Sequence, residues 1–147
     1  MNQGVLFKGK RMDNDEWAES DSIMWLGDRN PKLWCFYDGW VDVFLRSVSQ
    51  YIGINDRKRK KCFEGDIINI KAGYGISAFT GNAIIFFDEK RLQYRVRSIK
   101  PSSFNSEKGD VYDECNFTNI EDFEIIGNRY DNPELLGVKN EKTQRLS

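Results

Sequence analysis

The stretch that decides the fold is residues 50–68, which reads QYIGINDRKRKKCFEGDII. Short apolar runs lie near both of its ends, and the polar residues 55–61 separate them. Runs of this length divided by a polar segment predict two β-strands joined by a turn. Gly65 interrupts the second run, and because glycine has no Cβ, it predicts a sharp bend or bulge at the start of that strand. Asp66 is then expected to accept hydrogen bonds from nearby backbone N–H groups.

The rest of the chain repeats this pattern, with poor helical periodicity almost everywhere. The clearest alternation is in residues 92–97, where Tyr94 and Val96 share one face of a predicted strand and Arg95 and Arg97 share the other. We therefore predict an all-β fold with at most short helices. We expect either a small, strongly bent sheet or an SH3-like barrel or pseudo-barrel.

Composition and length limit the class of protein. The chain has 147 residues, of which 14% are aromatic and 31% charged, and its net charge is -1. These values predict one soluble domain over residues 1–137, followed by a polar, frayed tail at 138–147. No run approaches the roughly twenty apolar residues of a membrane span, and residues 1–8 lack the layout of a signal peptide. We expect a cytoplasmic protein with no membrane association.

The chain contains no histidine and three scattered cysteines. Without histidine, the Ser-His and Cys-His nucleophile arrangements and the commonest metal ligand are unavailable. The cysteines form no C-x-x-C pair of the kind that binds zinc. We predict a protein that is not an enzyme, with no catalytic residues, no metal and no cofactor.

Basic residues suggest one candidate site. A run of cations at a turn could contact a phosphate backbone, and two more cations lie on one face of a predicted strand. A turn must also be polar, and Lys or Arg there keeps a strand edge soluble, so a solvated turn is the competing interpretation. The candidate nucleic-acid-binding residues are Arg57, Lys58, Arg59, Lys60, Lys61, Arg95 and Arg97.

Four tryptophans lie in the first third of the chain. Tryptophan is enriched at protein-binding hot spots, but it is also a large core residue. We expect Trp17 and Trp40 in the core. Trp25 and Trp34 flank a turn-rich loop, and they are the candidates for a protein interface.

The closing segment, DFEIIGNRYDNPELL at residues 122–136, is the third informative region. With residues 50–68, and with FKGKR at 7–11 followed by Trp17, it resembles the YopX family of phage and prophage proteins. The likeness covers about residues 5–137. The positions that carry the structural motif are Tyr51, Gly53, Glu64, Gly65, Asp66, Gly127, Asn128, Tyr130, Asn132 and Pro133.

The resemblance implies a small, mostly β, pseudo-barrel protein encoded in viral or mobile DNA of bacteria, with self-association as a further expectation. It supplies no catalytic site to carry over. One position departs from the family, because Arg59 stands where the family usually has glycine. A residue other than glycine in a left-handed conformation costs about 1 kcal/mol or more.

Three classes of function follow. The first is a non-enzymatic phage or prophage accessory protein that binds an unknown protein partner or assembles with itself, as a homo-oligomer. The alternative is a small nucleic-acid-binding barrel that uses the basic turn. An enzyme ranks third, because it would need a deep pocket with shifted carboxylates.

Overall fold

The computed structural model describes residues 5–73, 81–99, 114–117 and 120–136. The tail predicted at 138–147 lies outside these ranges. Within them the chain folds into short strands and two single-turn 3₁₀ helices, and it forms two compact units, residues 1–54 and 55–147. Each unit is described by itself.

The first unit is built from six strands and one 3₁₀ turn, Leu45–Ser47. The strands are β1 (Phe7–Lys10), β2 (Trp17–Ser20), β3 (Ile23–Leu26), β4 (Arg29–Cys35), β5 (Gly39–Asp42) and β6 (Ser49–Asn55). Strand β1 pairs antiparallel with β2 on one side and β6 on the other, while β3, β4 and β5 form an antiparallel meander. A core of Ala18, Leu33, Val41 and Val43 lies inside this unit.

A close approach explains a glycine of the first unit. A Cβ on Gly9 would lie 2.9 Å from a methyl carbon of Val43, which is fully buried. Real Cβ atoms do not come this close to a carbon, so the core of the first unit requires glycine at this position of β1.

The second unit contains the other six strands and the 3₁₀ turn Pro133–Leu136. Its strands are β7 (Lys61–Phe63), β8 (Asp66–Gly73), β9 (Gly81–Asp88), β10 (Gln93–Ser98), β11 (Glu114–Asn116) and β12 (Ile120–Asn128). Five of them form an antiparallel sheet in the order β11-β10-β9-β8-β12. Ile67 and Ile68 of β8 are adjacent and both fully buried. Because neighbouring residues of a strand point to opposite faces, both faces of β8 are covered.

The all-β prediction is confirmed, because the described residues form three antiparallel sheets. None of these sheets closes into a barrel, so the barrel alternative of the prediction is wrong. Closure would require the two edge strands of a sheet to pair. One edge of the five-stranded sheet is β12. There the loop between β6 and β7 bonds to backbone groups that another strand would otherwise use. The backbone N–H of Arg57 donates to the carbonyl of Phe123, and the N–H of Ile125 donates to the carboxylate of Asp56. A loop that covers a sheet edge in this way leaves it unavailable to another strand. Within the described ranges, no helix is long and apolar enough to cross a membrane.

Candidate functional site

Four exposed aromatic residues of the first unit lie on the hairpin of β4 and β5. Trp34 and Trp40 are directly opposite each other in its register. Their rings meet edge to face with centroids 5.4 Å apart, yet they remain 45% and 43% exposed. Gly39 has a positive φ of 74°, which turns the chain tightly enough to bring the two rings together.

The loop of the same hairpin adds two more rings. Phe36 is 85% exposed and Tyr37 is 92% exposed, and their centroids are 5.0 Å apart. We call the set Trp34, Phe36, Tyr37 and Trp40 the aromatic surface. Monomeric soluble proteins rarely expose four large rings together. Exposed apolar patches of this kind commonly mark interaction sites.

The other two tryptophans, Trp17 and Trp25, lie on β2 and β3, outside this hairpin. Trp25 is 54% exposed, with one edge against the ring of Phe7 at 6.2 Å. Trp17 is half-buried beneath the ammonium groups of Lys8 and Lys10, 4.5 Å and 5.0 Å from its ring centroid. The interface candidates Trp25 and Trp34 are therefore both accessible.

The expectation that Trp40 lies in the core is wrong. The aspartate–glycine pair at 38–39 forms a tight turn, which places Trp34 and Trp40 on adjacent strands. Two residues that are directly opposite each other on adjacent strands have their side chains on the same face of the sheet. The sequence therefore contained the signal that both tryptophans share one environment. It did not contain the signal that this environment is solvent.

A cleft of about 490 Å³ borders the aromatic surface. The guanidinium of Arg11 lies in this cleft. It donates hydrogen bonds from Nε and Nη2 to Asp13 at 2.9 and 2.8 Å, and from Nη1 to Asp38 at 2.8 Å. The hydrogen bond from Arg11 holds the pKa of the Asp13 carboxyl below its ordinary value. Trp40 and Asp42 also line the cleft, which therefore combines an exposed ring with carboxylates held in place.

The basic run lies in the second unit, and Asp56 organises it. One carboxylate oxygen of Asp56 accepts from the backbone N–H groups of Lys58 and Lys60, both at 2.9 Å. The other accepts from Ile125, 69 residues away, at 2.9 Å. Burial raises the pKa of Asp56, but these hydrogen bonds from backbone N–H groups outweigh it, so the pKa is lowered overall. Asp56 was not among the residues predicted from the sequence to form a site, although an aspartate at the start of a turn is a known turn former.

Two cations of the basic run are paired within the second unit. Arg57 lies 3.2 Å from Asp122 and 3.7 Å from Glu124, and Lys58 lies 2.9 Å from Glu124. The hydrogen bond from Lys58 lowers the pKa of Glu124. The charges of Arg57 and Lys58 are thus partly neutralised by carboxylates of β12.

The remaining cations of the run, Arg59, Lys60 and Lys61, are exposed. Arg59 has a φ of 68°, so it adopts the left-handed conformation that glycine would adopt without strain. The basic turn therefore forms, although its most strained position lacks the residue that suits it best.

The two arginines predicted as a pair on β10 differ in exposure. The side chain of Arg95 is 12% exposed, and its Nε lies 3.5 Å from an oxygen of Asp88. Arg97 is exposed, with its guanidinium 4.4 Å from the ring centroid of Phe86. Of the seven predicted nucleic-acid-binding residues, the structure leaves Arg95 the least accessible.

The residues of the structural motif build turns. Gly65 has a φ of 92°; its N–H donates to Ile85 and its carbonyl accepts from the N–H of Arg129. Glu64 lies 3.8 Å from the guanidinium of Arg129. Asp66 is buried and accepts from the N–H of Phe63 at 2.8 Å. The predicted bend and the predicted role of Asp66 are both confirmed.

The closing part of the motif is a second hydrogen-bonded turn. The side-chain oxygen of Asn128 accepts from the N–H groups of Tyr130 and Asp131 at 2.9 and 2.8 Å. The side-chain oxygen of Asn132 accepts from the N–H of Asn128 at 3.1 Å, and Pro133 begins the final 3₁₀ turn. Tyr51 and Gly53 lie on β6, where the N–H of Tyr51 donates to Leu6 and Gly53 has a φ of 95°. These motif residues thus account for backbone geometry, which is a structural role.

Within the described ranges, no group of three or more His, Cys, Asp or Glu side chains is arranged to hold a metal ion. The arrangement as a whole is that of a small all-β protein whose accessible features are an aromatic hairpin and a basic turn. The chain matches the family described as YopX protein over residues 6–137, and it belongs to that family. A comparison with curated proteins finds no match.

Proposed function

We propose that this member of the YopX family is a non-enzymatic accessory protein of a phage or prophage that acts by binding a protein partner or by self-assembly. The observation that carries the proposal is the aromatic surface. Tryptophan and tyrosine are the residues most enriched at binding hot spots, because they bury a large area at a small cost in side-chain entropy. Because the rings of the aromatic surface are exposed together on one hairpin, a binding partner can contact all of them.

The test removes the two tryptophans of the aromatic surface without touching the core. The double variant Trp34→Ser/Trp40→Ser deletes the central ring pair, and the matched control Leu92→Ser deletes a side chain that is exposed on the second unit. Sedimentation velocity measures self-association of each protein. Affinity capture from a bacterial host lysate, quantified by mass spectrometry, measures binding to other proteins.

We expect association to be lost in the double variant and retained in the control. Equal association by the wild type and the double variant would overturn the proposal, provided circular dichroism shows that both are folded.

A second candidate function is nucleic-acid binding, and the exposure of Arg59 and Lys60 on the turn and of Lys61 at the start of β7 favours it. Fluorescence anisotropy with labelled single- and double-stranded DNA and RNA tests it over a range of salt. The variant Arg59→Ser/Lys60→Ser should weaken binding and reduce the slope of log K against log salt by about 2. The control Arg29→Ser/Arg46→Ser removes two exposed cations from the first unit. No binding at low salt would eliminate this candidate.

A further inference from the structure

We propose that the cleft beside the aromatic surface binds a lysine or arginine side chain of the protein partner. This inference rests on the proposed function, since it names the chemistry of the partner at the same surface. It assigns the aromatic rings to the apolar part of the contact and the neighbouring carboxylates to a cation.

The first argument is the composition of the cleft walls. Trp40 forms one wall, and its ring is exposed. Carboxylates of Asp13, Asp38 and Asp42 line the remainder together with Arg11, which pairs with the first two. A cation over an indole face is attracted by the ring quadrupole, and carboxylates alongside strengthen that attraction. An ammonium or a guanidinium is the group that satisfies both at once.

The second argument is that two of the three carboxylates, those of Asp38 and Asp42, have an oxygen left to accept a further hydrogen bond. Asp38 uses Oδ2 for Arg11, and Asp42 uses Oδ1 for Lys32 at 2.6 Å. Within the described residues, no hydrogen bond is made to Oδ1 of Asp38 or to Oδ2 of Asp42. Three carboxylates thus face two cations, which leaves a net negative charge at the cleft.

The third argument is preorganisation. Asp13 grips Arg11 through both oxygens, and Lys32 and Asp42 are directly opposite each other on β4 and β5. The carboxylates are therefore held before a ligand arrives, which lowers the entropy that binding must overcome. The same charges repel a phosphate backbone or an acidic peptide, so they select the sign of the partner.

The test uses three fluorescein-labelled nonapeptides with leucine at alternate positions. The other positions are arginine in the first peptide, the neutral isostere citrulline in the second and glutamate in the third. Anisotropy is measured with the full chain at low and physiological salt. We expect the arginine peptide to bind about tenfold more tightly than the citrulline peptide, and the glutamate peptide to bind most weakly.

Variants locate the effect. Asp38→Asn/Asp42→Asn should weaken the arginine peptide about tenfold, and Trp40→Leu about fivefold. The matched control Asp21→Asn/Asp28→Asn removes two exposed carboxylates of the first unit that do not line the cleft. Circular dichroism confirms that each variant is folded. Equal binding of the arginine and citrulline peptides, or equal weakening by the cleft and control variants, would overturn the proposal.

Failure of this inference is distinguishable from failure of the proposed function. If the peptides do not discriminate by charge while Trp34→Ser/Trp40→Ser still abolishes association, only the cation site is wrong. If that variant also leaves association unchanged, both are wrong. Sedimentation of the protein alone tests a second copy as the occupant, because self-association weakened by Asp38→Asn/Asp42→Asn would overturn the assignment to a separate partner.

Discussion

Replacing Asp56 by alanine is expected to lower the free energy of unfolding of the second unit by about 3 kcal/mol. The carboxylate accepts three hydrogen bonds from backbone N–H groups, each 2.9 Å long. Lys58 and Lys60 are exposed, so water replaces their two bonds at about 0.5–1 kcal/mol each. Ile125 is half-buried on β12, and an N–H left without a partner there costs about 1–3 kcal/mol.

The effect depends on pH with a definite sign. Because the folded pKa of Asp56 is lowered, the stabilisation is fully present above the unfolded pKa of about 3.9. It is lost as the pH falls through the lower, folded value. Wild type should therefore lose stability with acid more steeply below about pH 4 than Asp56→Ala does.

Urea unfolding followed by circular dichroism, with amide hydrogen exchange at Ile125 as a local measure, tests this reasoning. Exchange is needed because the two units need not unfold together. Asp56→Asn is the matched variant: its carbonyl can keep the bonds to Lys58 and Lys60, but its NH₂ group then faces the N–H of Ile125. We expect it to fall between wild type and alanine. A change below about 0.5 kcal/mol for Asp56→Ala, with unchanged exchange at Ile125, would refute the argument.

Three further changes test the backbone of the second unit by urea unfolding. Arg59→Gly should stabilise it by about 0.5–1 kcal/mol, because relief of the left-handed strain exceeds the added entropy of the unfolded chain; an unchanged midpoint would contradict this. Gly65→Ala should destabilise it by about 2 kcal/mol, because φ is 92° and the backbone is held at both its N–H and its carbonyl. The contact of the new Cβ with Arg129 at 2.9 Å adds little, since that side chain can move, and a stable Gly65→Ala would show that the backbone relaxes. Gly127→Ala should cost about 1–3 kcal/mol, because its Cβ would lie 2.6 Å from the side-chain oxygen of Asn132; the double variant Gly127→Ala/Asn132→Ala should lose less than the two single losses combined.

Sequence reasoning predicted the fold class and the local turns of this protein well. Asp66 and Asn128 accept hydrogen bonds from backbone N–H groups only a few positions away, and the bend at Gly65 follows from the positive φ that glycine adopts easily. Such effects follow from residue type and spacing, which are visible in the sequence. The closure of the sheet was predicted incorrectly, because it depends on which groups occupy the edge of β12.

The candidate site was less predictable. Trp34 was correctly considered as an exposed residue, but Trp40 was assigned to the core, and the contributions of Phe36 and Tyr37 were not foreseen. The basic residues were identified by type, yet their availability differs. Exposure and ion pairing depend on what lies nearby in three dimensions, and apolar residue type alone does not determine burial.

The sequence by itself determined that this chain forms short strands, where its sharp turns lie, and that no histidine chemistry is available to it. Those properties depend on residues close together in the chain or on composition. Only the tertiary structure decided that Asp56 would bond to β12, that Arg57 and Lys58 would be paired there, and that Trp34 and Trp40 would face solvent. The reason is that the partners on β12 lie far away in sequence from Asp56, Arg57 and Lys58. Their proximity is produced by packing of the strands and not by any local preference of the chain.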